Sequence, residues 1–185
     1  MLSRLHKLTL AVLLLPLVLA VVSLFLPARY RVERSRTMEA DAEEAFRLLN
    51  TLRTWPEWTA WSTERFPDLK MTYAGPDSGV GSTATWSGQR CGVCTRKIIR
   101  SEPNRVVAFA IHFQPDRFMA TSEITLQPSV QSVTVTWTQE AELGWSPVAR
   151  FFGLLMDQLV GPDLEQNLQN LQGRLELWEE EDALP

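Results

Sequence analysis

Side chains able to do chemistry are few and poorly grouped. His6 precedes a long apolar run and His112 falls in an alternating segment, so no histidine pair is available. A Cys-His or Ser-His-Asp arrangement would have to recruit His112 alone. The acids lie mainly on predicted helical surfaces without ligand spacing, which points to no metal site. Cys91-x-x-Cys94 has the redox spacing. It falls in a predicted hairpin rather than at a helix N-terminus, where a thiolate would be favoured, and reads as a structural disulfide or two ordinary thiols. Gly79-x-Gly81 lacks the remaining fingerprint and the helix of a dinucleotide or phosphate loop, so it reads as a turn and no cofactor is expected. Three polar groups remain as candidate contacts: Arg96, which shares a face with Ile98; Gln139, which follows Val133, Val135 and Trp137 in period; and Asp157, beside Met156. An acid–base enzyme would draw on such groups. A salt bridge or solvent contact is the plainer reading of each, and the chain leans away from catalysis.

The elements that must position these groups follow from periodicity. Arg29–Met38 alternates Tyr30, Val32 and Arg34 with charged neighbours, which suggests a half-exposed strand. Asp41 is a good N-cap, with Glu44 at N3 and a stripe of Ala45, Phe46, Leu48, Leu49 and Leu52 before Trp55-Pro56 ends the helix. Trp55, Trp58 and Trp61 then recur at spacings of three, close together in a helical or 3₁₀ stretch. They are expected to seal a core, and the same side chains can also line a ligand opening. From residue 68 the period changes to two, with strands over 70–74, 82–87, 94–101, 105–113, 118–128 and 132–143 separated by Gly-, Pro- and Asn-containing turns. Such short connections make an antiparallel meander. Ser146-Pro147 opens a last helix carrying Phe151, Phe152, Leu154, Leu155, Leu159, Leu164, Leu168, Leu171 and Leu175, with a kink or division expected at Gly161-Pro162. This helix is the obvious cover for the apolar face of the sheet.

Residues 8–26 are nineteen consecutive positions without a charge. As a helix they would span roughly 28 Å, close to the hydrocarbon thickness of a bilayer. No small-x-small cleavage site follows, so an uncleaved single-pass anchor is favoured over a signal peptide. Orientation is finely balanced between Arg4 and Lys7 on one side and Arg29, Arg31, Arg34 and Arg36 on the other, with a lean towards an exported domain because short N-terminal tails tend to stay inside. The chain has 18 basic and 22 acidic side chains, and only Arg4 and Lys7 precede the run. The part beyond it is therefore the more acidic, which argues against nucleic acid as a partner. Three regions follow: an anchor over 1–28, one domain over 29–178, and an acidic tail over 179–185.

The order of a strand, a helix pair, six strands and a long helix resembles the helix-grip fold of the SRPBCC (START-like) superfamily. More closely, the chain is similar to its polyketide cyclase/dehydrase-like branch with an N-terminal membrane anchor. The pieces that carry this are Val32-Glu33-Arg34-Ser35 before the Asp41–Phe46 helix start, Leu52-Arg53-Thr54-Trp55-Pro56-Glu57-Trp58, Gly79-Val80-Gly81-Ser82, Trp86-Ser87-Gly88, Val135-Thr136-Trp137, and Phe152-Gly153-Leu154 through Val160-Gly161-Pro162-Asp163. The branch pattern is departed from at Arg90-Cys91-Gly92-Val93-Cys94.

The resemblance implies an α+β fold, with a curved antiparallel sheet of about seven strands around the C-terminal helix and an apolar cavity between them. The expected lining is Trp55, Trp58, Trp61, Trp86, Arg96, Trp137, Gln139, Phe152, Leu155, Met156 and Leu159. The leading function is a membrane-tethered binding domain for a hydrophobic or amphipathic small molecule, with lipid among the candidates. The alternatives are a cyclase- or dehydratase-like enzyme and an adaptor that binds a membrane protein through the acidic helix around Trp178.

Overall fold

A computed structural model describes the backbone of residues 4–90, 92–114 and 118–182, and side chains between 14 and 178 within those spans. Cys91 and residues 183–185 of the tail lie outside them, as do the side chains of 8–13 in the apolar run.

The chain opens with α1 (Arg4–Ser23) and β1 (Arg29–Met38), continues through α2 (Ala42–Asn50) and a 3₁₀ segment (Leu52–Glu57), and then enters a meander. The strands are β2 (Lys70–Ala74), β3 (Thr83–Gly88), β4 (Gly92–Glu102), β5 (Val106–Gln114), β6 (Phe118–Pro128) and β7 (Val133–Glu142), followed by α3 (Pro147–Gly153) and α4 (Met156–Asp182). All seven strands form one antiparallel sheet in the order β1-β7-β6-β5-β4-β3-β2. Only β1 breaks the sequential order. It pairs along its whole length with β7, from Arg29 opposite Glu142 to Met38 opposite Val133.

Alternation decides which face is buried. On β7, Val133, Val135, Trp137 and Ala141 are buried, as the period of two predicts, and on β6 so are Ala120, Ser122, Ile124 and Leu126. The opposite face carries an Arg100–Glu123 ion pair at 3.3 Å. Leu164, Leu168, Leu171 and Leu175 of α4 form a buried stripe against this inner face. Asp41 caps α2 by accepting from Glu43 N. Trp55 and Trp58 are core residues, with ring centroids 5.5 and 6.4 Å from Trp137.

One helix boundary differs from expectation. The division of the last helix falls at Leu154-Leu155, and α4 runs through Gly161-Pro162 without a break. Pro162 leaves the carbonyl of residue 158 without its helical donor. Gln158 and Pro162 are both exposed, so water can satisfy that carbonyl.

Among the described residues, no helix is long and apolar enough to cross a membrane. The described side chains of α1 begin at Leu14, partway along the run, and its leucines and valines from Leu14 to Val22 are exposed, Leu15 at 61% and Leu17 at 59%.

Candidate ligand cavity

Three rows of neighbouring side chains cross the inner face of the sheet. The first is Ile98, Phe109, Ser122, Gln139 and Val32, from β4 to β1; the second is Ala84, Arg96, Ile111 and Ala120, from β3 to β6; the third is Trp86, Cys94, Phe113 and Phe118. In the second row the large residues are flanked by alanines. That leaves space beside Arg96 and Ile111 which a row of uniformly large side chains would fill.

Space is preserved there as a partly enclosed cavity of about 170 Å³, room for roughly six water-sized groups. Its sheet wall is Trp86, Arg96, Ile111, Phe113, Trp137 and Gln139, and Trp61 borders it from the loop after the 3₁₀ segment. The opposite wall is one face of α4: Leu159, Val160, Asp163, Leu164 and Asn167. Their spacing of about one turn brings them to a common surface.

Polar groups in this wall are unequally satisfied. The Trp137 indole donates to Ser122 Oγ at 2.7 Å, and Ser122 Oγ donates onward to the Thr138 carbonyl at 3.0 Å. Gln139 Nε2 donates to the Tyr30 hydroxyl at 3.3 Å. Burial pushes the Tyr30 phenol pKa upward, against the opposing effect of Gln139. Asn167 Oδ1 accepts from Ala60 N at 2.7 Å, and Asp163 at the rim pairs with Arg65 at 2.8 Å.

Arg96 is different. It is 8% exposed, its Nε is buried without an acceptor, and its side chain has neither a hydrogen bond nor an ion pair among the described residues. Its guanidinium carbon sits 4.3 Å from the Trp55 ring, 5.1 Å from Trp86 and 5.6 Å from Phe109. Aromatic faces attract a cation by about 0.5–2 kcal/mol, whereas burial of an ion costs several kcal/mol. The rings therefore offset only part of the penalty. Burial lowers the Arg96 pKa to about 10, with a smaller opposing effect from Cys94. Beside Arg96 on the same wall, the Trp86 indole N–H is also buried without an acceptor.

Of the expected lining, Trp61, Trp86, Arg96, Trp137, Gln139 and Leu159 meet at this cavity. Trp55 and Trp58 lie in the core, and Trp55 and Arg96 also border a crevice of about 10 Å³ beneath Trp86. Phe152 and Leu155 are about half exposed and do not line the cavity, and Met156 packs at the edge of the core. The helix divides at Leu154-Leu155, and the face of α4 that lines the cavity begins only at Leu159. Asp157 does not enter the cavity either, because it pairs with Arg34 at 2.8 Å. Periodicity missed Ile111, Phe113, Val160, Asp163, Leu164 and Asn167 as lining. Asn167 had a legible signal, a polar residue within the Leu164, Leu168 and Leu171 stripe. His112 is exposed on β5, and Cys94 is buried on β4. Among the described residues, no group of His, Cys, Asp and Glu is arranged to hold a metal ion.

Residues 29–176 match the family described as polyketide cyclase / dehydrase and lipid transport, and the chain belongs to that family. No curated protein matches it. Among solved structures, a hypothetical protein from Helicobacter pylori is similar at a TM-score of 0.60 and 9% identity, covering 78% of this chain and 87% of its own. A protein from Chromobacterium violaceum is similar at 0.56 and 14%, covering 79% and 97%. Ara h 8.0201 is similar at 0.56 and 10%, covering 80% and 97%. At these identities the likeness concerns the fold, a seven-stranded antiparallel sheet gripping a C-terminal helix.

Proposed function

We propose that this member of the polyketide cyclase / dehydrase and lipid transport family is a membrane-tethered domain that binds a small hydrophobic or amphipathic molecule between its sheet and α4. The observation that carries this reading is the cavity itself, with aromatic and aliphatic walls and a few convergent polar groups, as small-molecule sites generally have. The family description, which includes lipid transport, supports the same class of ligand. Small molecules that co-purify with the detergent-extracted full chain should include an apolar or amphipathic species bound stoichiometrically in a native mass spectrum. That species should be lost when Leu159 is replaced by Trp. A chain that carries no such molecule and takes up none from a varied apolar set would overturn the reading.

The tether is residues 8–26. Supporting it, Leu14, Leu15, Leu17, Val18, Leu19, Val21 and Val22 of α1 are exposed, an unfavourable surface in water and an ordinary one in lipid. The helix leads to a second exposed apolar group, Phe25 at 84% and Trp145 at 81%. Between them Arg150 is buried, donating to the Ser23 carbonyl at 3.0 Å and the Gly144 carbonyl at 2.8 Å. An aromatic residue beside a membrane helix suits the bilayer interface. We place the domain on the exported side. The intact mass of membrane-extracted protein should retain residues 2–28, and protease added outside the membrane should digest the domain. A mature chain starting between 27 and 35 would remove the tether, and protection from outside protease would reverse the orientation.

A further inference from the structure

We propose that the cavity takes an amphipathic monoacid, with its apolar body between Trp137 and Leu159 and its single carboxylate against the Arg96 guanidinium and the Trp86 indole N–H. This rests on the cavity reading above and adds the chemical class of the ligand.

The argument begins with what satisfied groups look like in this chain. The other buried guanidinium, Arg150, donates to carbonyls at the end of α1 and to Gly144. The buried indoles of Trp55 and Trp137 donate to the Leu49 carbonyl and to Ser122 Oγ. Three buried side-chain donors lack an acceptor among the described residues, Trp58 Nε1, Trp86 Nε1 and Arg96 Nε, and two of them, on Trp86 and Arg96, lie together. The Trp86 and Arg96 side chains border one cavity, which Trp58 does not, and the Arg96 guanidinium carbon is 5.1 Å from the Trp86 ring. Both unsatisfied groups are donors. Buried polar groups are almost always paired, so the missing partner is an acceptor, and opposite a buried cation the favoured acceptor is an anion.

Charge and space narrow the class. One guanidinium balances one negative charge, and with the rim carboxylate of Asp163 already paired to Arg65 no other lining residue supplies a cation for a second. The remaining wall is mainly aliphatic and aromatic, and a volume of about 170 Å³ holds roughly six methylene-sized groups. A short- to medium-chain carboxylic acid meets all of these conditions. A phosphate dianion would leave charge unbalanced.

The test uses the full chain in lipid nanodiscs, with empty nanodiscs as reference, titrated near neutral pH with hexanoate and separately with 1-hexanol by ligand-observed NMR. Hexanoate should bind at least about tenfold more tightly than hexanol, the worth of one charge-assisted hydrogen bond. Arg96→Met should remove that advantage while leaving hexanol affinity in place. Trp86→Phe, which keeps the ring and deletes the donor, should weaken hexanoate alone. If Arg96→Met fails to fold, the wild-type ratio and the Trp86→Phe variant still decide the matter. Hexanol bound as tightly as hexanoate by the wild type would overturn the assignment of an acid and leave the apolar cavity standing. Binding of neither would overturn the cavity reading as well.

Discussion

The guanidinium of Arg34 lies against the backbone of Gly161, where a Cβ would collide with its Nη2. From there it donates at 2.8 Å to Asp157, one turn earlier on α4, and at 2.8 Å to Glu165, one turn later. The inner-face arginine of β1 thus crosses the helix at a position without a side chain, locking β1 and α4 together. Gly161 is a place of close approach rather than a helix stop.

A double-mutant cycle reads this relationship. In an Arg34→Ala background, Gly161→Ala should stabilise the domain by about 1 kcal/mol, the ordinary helix preference of alanine over glycine. With Arg34 present the gain should be reduced or abolished, because the new methyl displaces the bridging side chain. Urea unfolding of the four proteins measures it, and equal effects in both backgrounds would mean that Arg34 does not require the space. The hydrogen bond from Arg34 also holds the Asp157 carboxyl below its ordinary range. The interaction is thus fully present above the unfolded carboxyl value and is lost as pH falls through the folded one.

Arg96 predicts a dependence of opposite origin. Its folded pKa of about 10 lies below the ordinary arginine value of the unfolded chain, so between these values the unfolded chain binds more protons and this residue contributes stability that rises with pH. Below that window the domain buries an uncompensated charge. Without ligand, Arg96→Met should therefore be at least as stable as wild type near neutral pH, and its advantage should shrink as pH rises above 10. Unfolding free energies of both proteins from pH 8 to about 11.5 check this, and an advantage that does not change with pH would show that burial does not depress Arg96.

Leu155 and Leu159 lie four residues apart and should respond differently to the same change. Leu155 is exposed and borders no part of the cavity, whereas Leu159 is exposed and also forms part of its wall. Leu155→Trp should change neither stability nor hexanol binding. Leu159→Trp should leave stability within about 0.5 kcal/mol, as at an ordinary surface site, and should reduce binding by partly filling the cavity. Loss of binding in Leu155→Trp instead would move the cavity mouth towards α3.

Much of the architecture was legible because it depends on local repetition. The period of two in Ser132–Leu143 separates Val133, Val135 and Trp137 from the threonines between them, and a strand with that pattern can bury only one set. The capping acid at Asp41 and the leucine stripe of α4 are of the same kind. Sequence spacing also identified Arg96 and Gln139 as inward polar groups, because face membership follows from parity. Parity says nothing about distance across strands. That Arg96 stands beside Ala84 and against the rings of Trp55 and Trp86 depends on register and on the path of the 3₁₀ segment. Nor could periodicity tell a stop at Gly161-Pro162 from a helix that continues, since what decides it is an arginine 127 positions earlier in the chain, lying over the glycine while the proline faces water. The sequence by itself determined which residues belong to each buried face. Tertiary structure alone decided which of those faces close tightly and which leave a donor without an acceptor, because packing and satisfaction are properties of groups brought together from distant parts of the chain.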